Sequence, residues 1–116
     1  MLIVDDDKDF LGFIYDLLCM VALDWEITCA ENGVEAADKI IENNYHLILS
    51  DYHMPGKTGL ELFSFSKQNG FNGKFYLMSG VLTEGHLLQE MELDGFLAKP
   101  FPKDKLIELL EKNEPG

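Results

Sequence analysis

Leu2-Ile3-Val4-Asp5-Asp6-Asp7 is the stretch on which the fold turns: three apolar residues without polar alternation, then three carboxylates. An uninterrupted apolar run belongs to a strand buried on both faces, the habit of parallel sheets covered by helices. Acidic residues at the end of such a strand fall where open parallel sheets bind ligands, outside the carboxyl ends of the strands. Asp7 also stands where a helix cap is expected, because negative charge suits a helix start.

Outward from this stretch, apolar runs and helical patterns alternate. Phe10, Phe13, Ile14, Leu17, Leu18 and Val21 recur at helical spacing and predict a helix from about Asp9 to Ala22. Trp25 to Ala30 is a weaker strand. Val34, Ala37 and Ile41 mark a helix that starts after the Asn32-Gly33 turn and ends near Asn43-Asn44. Leu47-Ile48-Leu49 is a third strand, closed by Ser50 and Asp51, and Met54 to Gly59 is a loop before a helix over Leu60 to Lys67. A strand at Phe75 to Met78, a short helix around Glu84 to Met91 and a strand at Phe96 to Ala98 follow. Beyond Lys99-Pro100, the residues Leu106, Ile107, Leu109 and Leu110 predict a closing helix. Five strands each followed by a helix require right-handed crossovers. The expected fold class is α/β: a doubly wound (βα)5 sandwich, its parallel sheet in the order 2-1-3-4-5, with helices on both faces.

Composition sets the outer bounds. The chain has 116 residues, 47% hydrophobic and 26% charged, which is ordinary globular usage and fits one domain over residues 1–116. Nine lysines and no arginine against 21 acidic residues give a formal net charge of −12. Such a surface repels nucleic-acid phosphates and anionic membranes, so direct binding to either is not expected. Cys19 and Cys29 fall in a predicted helix and strand and read as small packing residues rather than a disulfide. No leader pattern and no membrane-spanning run is present, which points to a cytoplasmic protein.

In the expected order the first, third and fourth strands are neighbours, so Asp5, Asp6 and Asp7 converge on one rim with Asp51 and Ser79, joined by Lys99 from the fifth. Two carboxylates about 4 Å apart repel by roughly 4 kcal/mol at an effective dielectric near 20. Such a group takes up protons or a hard cation, and Mg²⁺ suits a site that also handles phosphate. A lysine and a hydroxyl facing the same spot supply the charge and the donor a phosphoryl group needs. The nucleophile there must be a carboxylate, which can form an acyl phosphate.

Val4-Asp5-Asp6-Asp7, Ser50-Asp51-Tyr52-His53-Met54-Pro55-Gly56, Met78-Ser79-Gly80 and Lys99-Pro100-Phe101 together resemble the response-regulator receiver domain of two-component signalling. The resemblance covers essentially the whole chain, with its four fragments in register. It implies that Asp51 is the phospho-acceptor and that Asp5 and Asp6 hold Mg²⁺ beside it, with the backbone carbonyl of His53 as a further ligand. It implies that Ser79 is the switch hydroxyl, Lys99 the phosphate-pairing lysine and Phe96 the switch aromatic. A cis Lys99-Pro100 bond is expected on the same ground. Implied partners are a sensor histidine kinase or phosphotransfer protein, a downstream protein or fused output domain, and a second copy in a homodimer. Met54 and Phe101 read as packing.

The chain departs from the family pattern in three places. Ser79 replaces the commoner threonine, Phe96 replaces the commoner tyrosine, and Glu92-Leu93 stands where Gly-Ala is frequent, after a short interval from Ser79. These touch partner choice rather than acceptor chemistry. Two other classes compete: a phosphorylation-independent interaction module, which has no need of the full acidic set with Lys99, and a metal-dependent phosphohydrolase. The latter calls for a second catalytic carboxylate just after the nucleophile, where His53 stands instead.

Overall fold

In the computed structural model, which describes residues 1–80, 93–99 and 101–113, the strand β1 (Leu2–Val4) is wholly buried. It pairs in parallel with β2 (Thr28–Ala30) on one side and β3 (Leu47–Asp51) on the other. Next to β3 lie β4 (Lys74–Ser79) and then β5 (Gly95–Ala98), giving a five-stranded parallel sheet in the order β2-β1-β3-β4-β5. Four helices complete the described fold: α1 (Lys8–Val21), α2 (Gly33–Glu42), α3 (Gly59–Gln68) and α4 (Lys103–Lys112). The expected doubly wound α/β architecture and strand order are therefore present.

Side chains alternate across the strands and feed two cores. Ile3, Leu49 and Met78 meet Leu11, Ile14 and Leu18 of α1 and Leu106, Leu109 and Leu110 of α4. Leu2, Val4, Ile48 and Leu77 point the other way, onto Ala36, Ala37 and Ile40 of α2 and Leu62 and Phe63 of α3. Each fully buried aliphatic side chain contributes about 1.5–3 kcal/mol, so a three-residue interior strand such as β1 suffices to help anchor both layers.

Local chemistry sets the helix starts. Asp7 caps α1, its Oδ1 accepting from the backbone N–H of Asp9 at 3.1 Å and of Phe10 at 3.2 Å. Asn32 caps α2 through the Glu35 N–H at 2.7 Å, so the Asn32-Gly33 pair is a helix entry rather than a free turn. Thr58 and Glu61 form a reciprocal capping box on α3.

Several expectations are corrected. β2 begins at Thr28 rather than Trp25, because β1 offers partners only from Leu2 (paired with Thr28) onward, and the Trp25 N–H turns back to Ala22 instead. Phe13, Val34 and Ile41 are exposed: α1 and α2 bury the faces that carry Ile14 and Ile40. Cys19 is exposed and only Cys29 is half-buried, so of the two only Cys29 packs against a core; both are free thiols. The helix expected around Glu84 to Met91 and the Lys99-Pro100 bond lie outside the described residues. Among the described residues no helix is long and apolar enough to cross a membrane.

Candidate functional site

The carboxyl ends of β1, β3, β4 and β5 deliver the polar residues to one rim. Val4 pairs with Ser50, so the residues that follow, Asp5 and Asp51, sit side by side. Asp5 is fully buried, Asp51 nearly so, and Asp6 is exposed. Carboxylate oxygens of Asp5, Asp6 and Asp51 all lie within 4.8 Å of one another. Lys99 follows β5, its N–H donating to the Ser79 carbonyl at 2.8 Å, and its side chain reaches into the cluster. Nζ donates to Asp5 Oδ2 at 2.6 Å and lies 3.2 Å from Asp51 Oδ1. The Asp7 N–H donates to the other Asp5 oxygen at 2.9 Å, which fixes that carboxylate in place.

The charges do not balance. Three carboxylates face the Lys99 ammonium, so the fully ionised group carries −3 + 1 = −2. Burial first, and then the negative charge of Asp5, hold the Asp51 carboxyl above its ordinary range, with Lys99 pulling the other way. For Lys99, burial pulls downward, but the Asp5 hydrogen bond and the charges of Asp5 and Asp51 outweigh it and the ammonium is raised above its usual value. Both directions are consistent. Lys99 is committed more tightly to Asp5, and Asp51 keeps the residual repulsion. A cluster of hard oxygens short of two positive charges fits a divalent cation such as Mg²⁺ by both charge and donor type.

The loop after β3 is pinned beneath Asp51. The Tyr52 N–H donates to the Met78 carbonyl at 2.8 Å, and the Gly59 N–H donates to the Tyr52 carbonyl at 2.9 Å. A Cβ on Gly59 would stand 2.5 Å from the Asp51 carbonyl oxygen and 2.6 Å from Leu77, so α3 starts against the end of β3 only because residue 59 has no side chain. Gly56 turns the loop at φ +87°, a conformation that favours glycine.

The other expected site residues are distributed unevenly. Ser79 is buried at the end of β4, one residue beyond the Asp51–Met78 pair. His53 is exposed, with its ring edge-on to Tyr52 at 4.6 Å. Phe96 is half-buried against the α2–α3 core and Met54 is buried in it. Phe101 is half-buried on the other side. One neighbour of the site was not legible beforehand: Lys99 Nζ lies 4.3 Å from the centroid of the Phe10 ring. Phe10 carried only a helical-spacing signal, and nothing in its local sequence indicates a lysine from the far end of the chain.

The response regulator receiver domain model matches residues 1–111. The chemotaxis protein CheY of Listeria monocytogenes is 30% identical over 115 residues, 97% of this chain and 95% of that protein. A transcriptional regulatory protein of Bacillus subtilis, YesN, is 28% identical over 97% of this chain, which spans only 31% of its length. Among solved structures, the response regulator TrrA of Thermotoga maritima, in complex with Mg²⁺-BeF, superposes with a TM-score of 0.84 at 31% identity, covering 96% of this chain and 95% of that one. With the fold, the acidic rim and these matches in agreement, the chain belongs to the response regulator receiver domain family of two-component signal transduction.

Proposed function

We propose that this receiver domain is a signalling switch that accepts a phosphoryl group on Asp51 in a Mg²⁺-dependent reaction and changes partner binding as a result. The observation that carries the reading is the Lys99 ammonium lodged between Asp5 and Asp51 within a cluster still short of two positive charges. An Asp51 oxygen forms a bond to phosphorus as the P–N bond of a phosphohistidine breaks. The bonding pair leaves with the imidazole nitrogen, which takes a proton from solvent. The donor is a sensor histidine kinase or phosphotransfer protein.

Asp5, Asp6, Asp51 and the His53 carbonyl would hold the metal, which when bound neutralises charge on the phosphoryl oxygens. Lys99 pairs with one phosphoryl oxygen and the Ser79 hydroxyl donates to another. Phe96 repacks as Ser79 moves toward the phosphoryl group. Two charge-assisted hydrogen bonds made only in the phosphorylated state supply about 3–6 kcal/mol of gross bias. A complete population swing needs about 5.5 kcal/mol, and ordering the loops subtracts from the gross bias, so the shift is substantial but incomplete.

The readers of that shift are a downstream protein, a fused output domain or a second copy of the chain. The charge of −12 argues against direct nucleic-acid binding, and the cytoplasm is the compartment that fits a kinase-coupled switch. The domain acts as a regulatory acceptor, catalysing only its own phosphorylation and dephosphorylation.

The test is intact mass after incubation with Mg²⁺ and acetyl phosphate, with Asp51→Asn alongside. One added phosphoryl group, absent from the variant and absent without Mg²⁺, supports the switch. No gain in the folded, Mg²⁺-binding protein, repeated with a histidine-phosphorylated donor, would leave the interaction module as the better reading.

A further inference from the structure

We infer that Phe10 is a positioning residue for Lys99, its ring face holding the ammonium beside the acceptor; this rests on the reading of Asp51 as the phospho-acceptor. An ammonium has three N–H groups and no acceptor capacity. Asp5 Oδ2 and Asp51 Oδ1 face Nζ at 2.6 and 3.2 Å, and the Phe10 ring faces it at 4.3 Å. That distance is well inside the range in which a cation is attracted by the negative face of an aromatic ring.

Two features hold the ring there. The Phe10 N–H donates to Asp7 Oδ1 at 3.2 Å, so the cap that starts α1 also fixes where Phe10 leaves the backbone. Phe101 packs edge-on against Phe10, with centroids 6.0 Å apart and planes at 89°. The segment that delivers Lys99 thus also delivers the ring that props its platform.

The consequence for transfer lies in how the two kinds of contact differ. Asp5 holds Nζ at a short, directional distance. A ring face attracts without a fixed donor–acceptor direction, so Nζ can shift from the carboxylates toward an incoming phosphoryl oxygen while still covered by Phe10. Lys99 is only 21% exposed, and Phe10 accounts for part of that cover.

Packing alone would also place an aromatic residue here, so the test must separate ring electronics from ring size. Position 10 is replaced by 4-fluoro-, 3,5-difluoro- and 3,4,5-trifluorophenylalanine, which keep the shape while draining the ring face. Phe10→Leu and Phe10→Tyr are made in parallel. The readout is the rate of phosphorylation by acetyl phosphate with Mg²⁺, with the thermal unfolding midpoint of each protein. The expected result is a stepwise loss totalling about three- to thirtyfold across the fluorinated series, a similar loss in Phe10→Leu and retention of the parent rate in Phe10→Tyr, with every fluorinated protein still folded at the assay temperature by its unfolding midpoint. A flat rate across the fluorinated series, in a parent protein that phosphorylates normally, overturns the role of Phe10. A parent protein that takes up no phosphoryl group from either donor defeats the reading of Asp51 itself, and this inference with it.

Discussion

Replacing Asp51 with asparagine should make the unphosphorylated protein more stable. The Asp51 carboxyl is buried among like charges, and Asp5 and Asp6 offer oxygens within 4.8 Å of it. At an effective dielectric of roughly 20, repulsion by Asp5 at that limit is about 3.5 kcal/mol, and attraction by Lys99 at 3.2 Å is about 5 kcal/mol. Exposed Asp6 adds only about 1 kcal/mol after solvent screening. These contributions nearly cancel, and desolvation, which costs a few kcal/mol for a buried ion, tips the balance against the charged form. Asparagine keeps the shape, accepts from Lys99 and offers N–H groups to Asp5. The expected gain is about 2 kcal/mol, or roughly 5–10 °C in Tm, measured by circular dichroism in chelator near neutral pH. Because the folded-state pKa of Asp51 is raised, the folded protein binds this proton more readily than the unfolded chain. Parent stability should therefore rise relative to the variant as pH falls through the folded pKa toward the ordinary carboxylate value. Saturating Mg²⁺ should narrow or reverse the gap by stabilising the parent. A variant that melts at or below the parent in chelator would refute this account of the site.

Three further outcomes are expected. Asp6→Ala should weaken Mg²⁺ binding about tenfold or more by calorimetric titration while leaving the fold intact, since Asp6 is exposed and packs against no core; unchanged affinity would remove Asp6 from the metal site. Lys99→Met leaves the buried Asp5 charge without its ion-pair partner and should cost about 3–5 kcal/mol in chelator by urea unfolding, part of it restored by Mg²⁺. Gly59→Ala forces a Cβ against the Asp51 carbonyl and should lose about 1–3 kcal/mol together with most phosphorylation activity; a variant as stable and active as the parent would show that α3 can retreat freely.

Much of this was legible in the sequence because the informative residues carry their signal locally. Leu2-Ile3-Val4 and Leu47-Ile48-Leu49 have no polar alternation, and only strands buried on both faces tolerate that. The acids that follow them had to share a rim once the strand order was set. Helix faces were harder. Val34 and Ile41 match a helical period as well as Ala36, Ala37 and Ile40 do, but α2 approaches the sheet closely enough for small residues to form its inner face. The true extent of β2 depends on the length of β1, which Trp25 cannot reveal. The Phe10–Lys99 contact exists only because the sheet brings the end of β5 to the first turn of α1.

The ion pair between Lys99 and Asp5 spans 94 positions of the chain, and the strand that bears Asp51 lies at the centre of the sheet. On the ribosome, the acidic rim of β1 and β3 is made before β4 and β5, with β3 then flanked on one side only. The strands that complete the sheet, and the ammonium that partly neutralises the rim, follow them. The nascent domain thus carries its acidic rim without a neutralising partner until Lys99 joins it behind the fifth strand.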